Sequence, residues 1–109
     1  MHELGIAEQI LEIVAERSGG SRVTRVVLEV GALTAVLPDA LRFCFDVASR
    51  DTVAEGARLD IVEQAARARC RACGAETEIV EPWGLCACGG ADLHWLAGRE
   101  LRIREMEVA

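Results

Sequence analysis

Apolar residues recur at helical spacing near the start of the chain. Leu4, Ala7, Leu11 and Val14 fall on one stripe, widened by Ile10, with Glu8, Glu12 and Glu16 opposite. This pattern predicts an amphipathic helix over residues 4–17, ended by Ser18-Gly19-Gly20-Ser21. Alternation then takes over. Val26, Leu28 and Val30 share one face and Arg25, Val27 and Glu29 the other, which predicts a strand over residues 23–31. Pro38 suits a first helical turn. A second helix is expected from there to about residue 50, burying Leu41, Cys44, Phe45 and Ala48. Glu55-Gly56 reads as a turn. A strand follows over residues 58–65, with Leu59 and Ile61 inward. The last alternating stretch, residues 99–108, slips phase between Ile103 and Met106, which predicts a bulge.

Residues 69–97 break this rhythm. Cys70, Cys73, Cys86 and Cys88 fall within this stretch. Short ribbon strands are expected at 77–80 and 93–95, with Pro82, Gly84, Gly89 and Gly90 making the turns. The order is helix, strand, helix, strand, cysteine module, strand. The expected fold is α+β: two helices on one face of a three-stranded sheet, with an inserted four-cysteine zinc-ribbon module. The domains would be 1–68 plus 98–109, discontinuous in sequence, and 69–97.

Composition narrows the function. The chain has 109 residues, 51% hydrophobic, with few aromatics and no Tyr, so its core must be mainly aliphatic. A core this small gains from a structural metal. The net charge is −6 and all basic residues are Arg, which argues against a nucleic-acid partner. Arg67, Arg69 and Arg71 cluster at the first cysteine pair, where they offset thiolate charge or face solvent. No apolar run approaches the ~20 residues of a membrane span, and no leader pattern opens the chain. With metal-type cysteine spacing this predicts a cytoplasmic location. Trp83 and Trp95 are expected to cover the ribbon.

A tetrahedral soft-metal site needs sulfurs converging from two directions at about 2.3 Å from the ion. Two turn-borne pairs, Cys70-x2-Cys73 and Cys86-x-Cys88, meet that need across a twelve-residue spacer. Gly74 and Gly89 each follow a pair, letting the chain turn tightly and freeing N–H groups to bond sulfur. Four-thiolate geometry alone does not separate zinc from iron. Disulfide pairing and a redox role for Cys70 and Cys73 are rival readings. The latter lacks the helix on which such motifs sit. A saturated four-cysteine zinc site has no open position, so it holds structure and does not catalyse.

The start, Met1-His2-Glu3, offers separate chemistry. The amine of Met1, the amide nitrogen of His2 and its imidazole can chelate one metal in a plane, which suits Ni(II) or Cu(II). A fourth donor would be the Glu3 amide or a group such as His94.

Together these residues resemble a known family. Met1-His2-Glu3-Leu4 opening a helix, Leu41-Arg42-Phe43-Cys44-Phe45, the two cysteine pairs and Gly98-Arg99-Glu100-Leu101 are similar to the HypA/HybF hydrogenase-maturation nickel chaperones. The resemblance covers essentially the whole chain. It implies that Ni(II) binds at the N-terminus, with His2 the essential ligand and Met1 and Glu3 supplying further donors, chiefly through the backbone. It implies a structural Zn(II) on Cys70, Cys73, Cys86 and Cys88. It also implies a HypB-type GTPase partner and delivery to the [NiFe]-hydrogenase large subunit, with urease maturation proteins as further partners in some members. One departure stands out. The family's second pair usually reads C-P-x-C-G, whereas here it is Cys86-Ala87-Cys88-Gly89. Cys86 is therefore expected to reach the metal through a changed turn.

Two other classes compete. A zinc-ribbon adaptor would explain the cysteines and leave Met1-His2-Glu3 idle. A thiol redox protein would form a reversible disulfide and hold little zinc. No Ser/His/Asp set, carboxylate pair or phosphate loop appears, so an enzyme is not expected.

Overall fold

The computed structural model describes residues 3–79 and 84–109. The expected roles of Met1, His2, Val80, Pro82 and Trp83 lie outside the described residues. In chain order the elements are α1 (Glu3–Ser18), β1 (Val23–Gly31), a 3-10 turn (Ala32–Thr34), α2 (Pro38–Ala48), β2 (Arg58–Gln64), β3 (Ala66–Cys70), β4 (Glu76–Ile79), β5 (Leu93–Ala97) and β6 (Leu101–Val108). The strands form two three-stranded sheets, ordered β2-β1-β6 and β4-β3-β5. The fold is α+β. No helix among the described residues is long and apolar enough to cross a membrane.

The chain divides into two compact units. The first holds the chain through Leu28, Val36–Val62 and Arg102–Ala109. Here α1 buries Ile6, Ala7, Ile10, Leu11 and Val14. Leu4 was expected in that stripe and is 48% exposed. At 100° per residue it sits about 90° from the stripe's centre, and Ile6 takes the opposite flank. In α2, which packs on α1, Leu41 and Phe45 are buried, while Cys44 and Ala48 are only half-buried. Cys44 is thus a flank residue, not the core residue expected.

In the first sheet, the Ala109 N–H bonds the Arg22 carbonyl at 2.9 Å, and the Thr24 hydroxyl donates to the Glu107 carbonyl at 3.3 Å. The β1 and β6 strands therefore run antiparallel. As the middle strand, β1 is covered on both faces from Val26 onward. Val27 and Glu29, assigned by alternation to a separate face, are buried as well. On β6 two adjacent exposed residues, Arg104 and Glu105, mark the phase slip.

The second unit holds Glu29–Ala35 and Glu63–Leu101. Its central strand β3 was not among the strands read from sequence. Ala66, Ala68 and Cys70 point into this unit, while Arg67 and Arg69 alternate outward. β3 pairs antiparallel with β4 and with β5, with a register shift between Arg67 and Ala68 on the β5 side. Ala66, Ala68 and Ile79 form a small core, covered by Leu33, Leu93 and Trp95. Leu33 draws the segment after β1 into this unit, and its N–H bonds the Gly98 carbonyl at 2.7 Å. The close approach needs glycine: a Cβ on Gly98 would stand 2.8 Å from the Ala66 Cα.

Candidate metal centre

The central strand β3 ends at Cys70, and the chain then turns back. The Gly74 N–H bonds the Cys70 carbonyl at 2.8 Å, and the Cys70 N–H bonds the Ala75 carbonyl at 2.9 Å. A second turn repeats this scheme with one residue fewer. The Gly89 N–H bonds the Cys86 carbonyl at 2.8 Å, and the Cys86 N–H bonds the Gly90 carbonyl at 3.1 Å. The reach from cysteine to glycine is four positions in the first turn and three in the second. The shortened Cys86-x-Cys88 spacing is absorbed in this way. Gly74 and Gly89, at φ of +77° and +88°, take the left-handed conformation that both turns require.

The two turns face each other crosswise. The Sγ atoms of Cys70 and Cys88 are 3.7 Å apart, and those of Cys73 and Cys86 are 3.6 Å apart. All four sulfurs lie within 4.8 Å of one another. A tetrahedron with metal–sulfur bonds of about 2.3 Å has edges of about 3.8 Å. The thiols fit such an ion in number, softness and spacing. They do not fit disulfides, whose sulfurs bond at about 2.05 Å, and all four are free. Nor does Cys70 open a helix, as a thioredoxin-type cysteine does.

Electrostatics point the same way. The backbone N–H groups of Cys73 and Ala72, helped by the Cys88 and Cys73 thiols, outweigh burial and bring Cys70 down to about 7. The Gly90 N–H favours the Cys88 thiolate. It is outweighed by sulfur neighbours Cys86, Cys70 and Cys73 and by burial, which push Cys88 up to about 12. Four thiolates this close repel one another, and a divalent cation among them removes that cost.

Two of the surrounding arginines are ion-paired. Arg69 meets Glu76 at 3.8 Å across β3 and β4, and Arg67 stands opposite Glu78 in the same register. Arg71 meets Asp92 at 3.3 Å. These arginines therefore serve the ribbon surface. One neighbour of the sulfurs escaped the sequence reading. Gly90 was taken as a turn residue, but a Cβ there would sit 3.0 Å from the Cys70 Sγ and 3.3 Å from the Cys88 Sγ. The doubled glycine after Cys88 is the signal that points to it.

Of the N-terminal candidates, Met1 and His2 lie outside the described residues. Glu3 opens α1, and its carboxylate accepts the Leu37 N–H at 3.2 Å. His94 is exposed on β5, opposite Arg69, and belongs to no metal-holding group among the described residues.

Two helices, two small sheets and four cysteines clustered as in a zinc ribbon define a small α+β metal-binding protein. Within that class its relatives are clear. The chain belongs to the HypA family, described as "Hydrogenase/urease nickel incorporation, metallochaperone, hypA", whose model matches residues 1–108. It is 51% identical over 108 residues to a "Hydrogenase maturation factor HypA" of Trichormus variabilis, covering 99% of this chain and 96% of that one. A protein of the same name from Geotalea uraniireducens is 47% identical over 109 residues, covering 99% of each. The fold matches the solution structure of the Ni metallochaperone HypA from Helicobacter pylori. That match has a TM-score of 0.67 and 21% identity, and covers 99% of this chain and 97% of that one. The family is one of metallochaperones, and its relatives are named as maturation factors.

Proposed function

We propose that this chain is a nickel metallochaperone that binds Ni(II) at Met1-His2-Glu3 and delivers it during [NiFe]-hydrogenase maturation. The carrying observation is the family match over residues 1–108, which includes that N-terminal segment. The amine of Met1, the amide nitrogen of His2 and its imidazole, with the Glu3 amide, are a donor set of the kind that suits planar Ni(II). A site on a chain end can give its ion to competing donors, so the activity is transfer rather than catalysis. Cys70, Cys73, Cys86 and Cys88 would hold Zn(II). Bound there, zinc supplies structure, because four thiolates leave no open position. The partners are a HypB-type GTPase and the hydrogenase large subunit, with urease maturation proteins as further candidates, in the cytoplasm.

Metal analysis and titration test this reading. Purified protein should carry one zinc and take up one nickel. His2→Ala, and a chain with extra residues before Met1, should each lose tight Ni(II) binding and keep zinc. Equal tight binding in all three chains would sink the N-terminal site and leave a zinc-ribbon adaptor. A reversible Cys70–Cys73 disulfide with little zinc under reducing conditions would favour a redox protein.

A further inference from the structure

Glu3 carries a side-chain interaction that a role in metal binding through its backbone does not require. Its carboxylate accepts the Leu37 N–H at 3.2 Å. Leu37 is the N-cap of α2 and has no side-chain cap of its own. In a capping box, a Glu or Gln three residues into a helix reaches back to the N-cap N–H. In α2 that position is Ala40, which has no acceptor to offer. A carboxylate from the first turn of α1 stands in its place. The arrangement suits both helices, since negative charge is favoured at a helix N-terminus.

We infer that Glu3 is a positioning residue: its carboxylate caps α2 at Leu37 and so fixes the point from which Met1 and His2 extend. This rests on the N-terminal nickel site proposed above. The covalent link between His2 and Glu3 makes that bond the nearest described anchor of the tripeptide. The Leu37 N–H engages the Oε2 oxygen of Glu3, while the donor proposed from Glu3 is its amide nitrogen.

The test compares native protein, Glu3→Gln and Glu3→Ala, each labelled with nitrogen-15 and titrated with nickel chloride. The Leu37 amide should exchange slowly in the native chain and in Glu3→Gln, whose amide oxygen still accepts. In Glu3→Ala it should shift upfield and exchange quickly. Nickel affinity should fall about 10–100-fold in Glu3→Ala, the range for outer-shell changes at metal sites. It should return close to native in Glu3→Gln, with one d–d absorption band in all three. A Leu37 amide unchanged in Glu3→Ala overturns the clasp. Equal losses in both variants with an altered band would make the carboxylate a ligand and overturn the positioning role. Equal affinity in native and His2→Ala chains would remove the nickel site itself, while the Leu37 amide would still report on the clasp.

Discussion

Gly90 shows how much one missing side chain contributes. Its Cα faces two sulfurs, and a methyl group there would crowd Cys70 Sγ at 3.0 Å. Both sulfurs belong to the four-thiol cluster, so neither can give way without widening the tetrahedron. Gly90→Ala should therefore weaken zinc binding, by about 10–100-fold if it acts as an outer-shell change. Competition with a chromophoric chelator measures this, and native affinity would contradict it. The cysteines were legible from spacing alone. Gly90 was not, because a turn residue shows its neighbours only once the two turns face each other.

At the scale of elements, helix periodicity read well and strand faces read less well. In α2 two aromatics two positions apart make the case: Phe45 is 2% exposed and Phe43 is 69% exposed. Phe45→Ala should cost about 3–5 kcal/mol, whereas Phe43→Ala should stay within about 0.5 kcal/mol. Urea unfolding of both variants checks the assignment, and similar losses would refute it. The first sheet carries a charge cluster that also tests its packing. Arg25 and Arg58 both bond Asp60, at 2.6 and 2.8 Å. Hydrogen bonds from Arg58, then Arg25, hold the Asp60 carboxyl at about 2, below its ordinary 3.8. A depressed carboxyl stabilises the fold above its unfolded value, and this contribution fades as pH falls through the folded one. Asp60→Asn should thus be less stable than native at pH 7, with the gap closing between pH 3.8 and about 2. A gap independent of pH would show that the arginines do not act through this charge. No local pattern pairs Asp60 with Arg25, because they are 35 residues apart.

At the scale of the molecule, the second unit shows a small apolar cluster among its described residues. Its buried cluster is Ala66, Ala68 and Ile79, with Leu33, Leu93 and Trp95 only partly covered. Alanines bury little apolar area. Structural zinc contributes about 10–16 kcal/mol to folding in small zinc modules, more than such a cluster supplies. Stripping the metal with a strong chelator, under reducing conditions, should abolish amide protection in β3, β4 and β5. The amides of α1 and α2, whose core is Ile10, Val14, Leu41 and Phe45, should remain protected. Hydrogen exchange followed by mass spectrometry resolves the two. Protection in β3 surviving chelation would show that the ribbon stands without metal.

By itself the sequence determined both helices, the α+β class, the four sulfur donors and the glycines that turn beneath them. These follow from periodicity, spacing and backbone sterics, which act over a few residues. Tertiary structure alone decided that Ala66-Arg67-Ala68-Arg69-Cys70 is the central strand of a second sheet. Two alanines alternating with two arginines carry almost no apolar signal until Ile79 and Trp95 pack against them. It also decided that Leu33 belongs with that sheet, that Glu3 caps a helix starting 35 residues later, and that Cys70 faces Cys88 while Cys73 faces Cys86. Each is a pairing between segments far apart in the chain. The energy of such contacts resides in shared burial and geometry, which no local stretch contains.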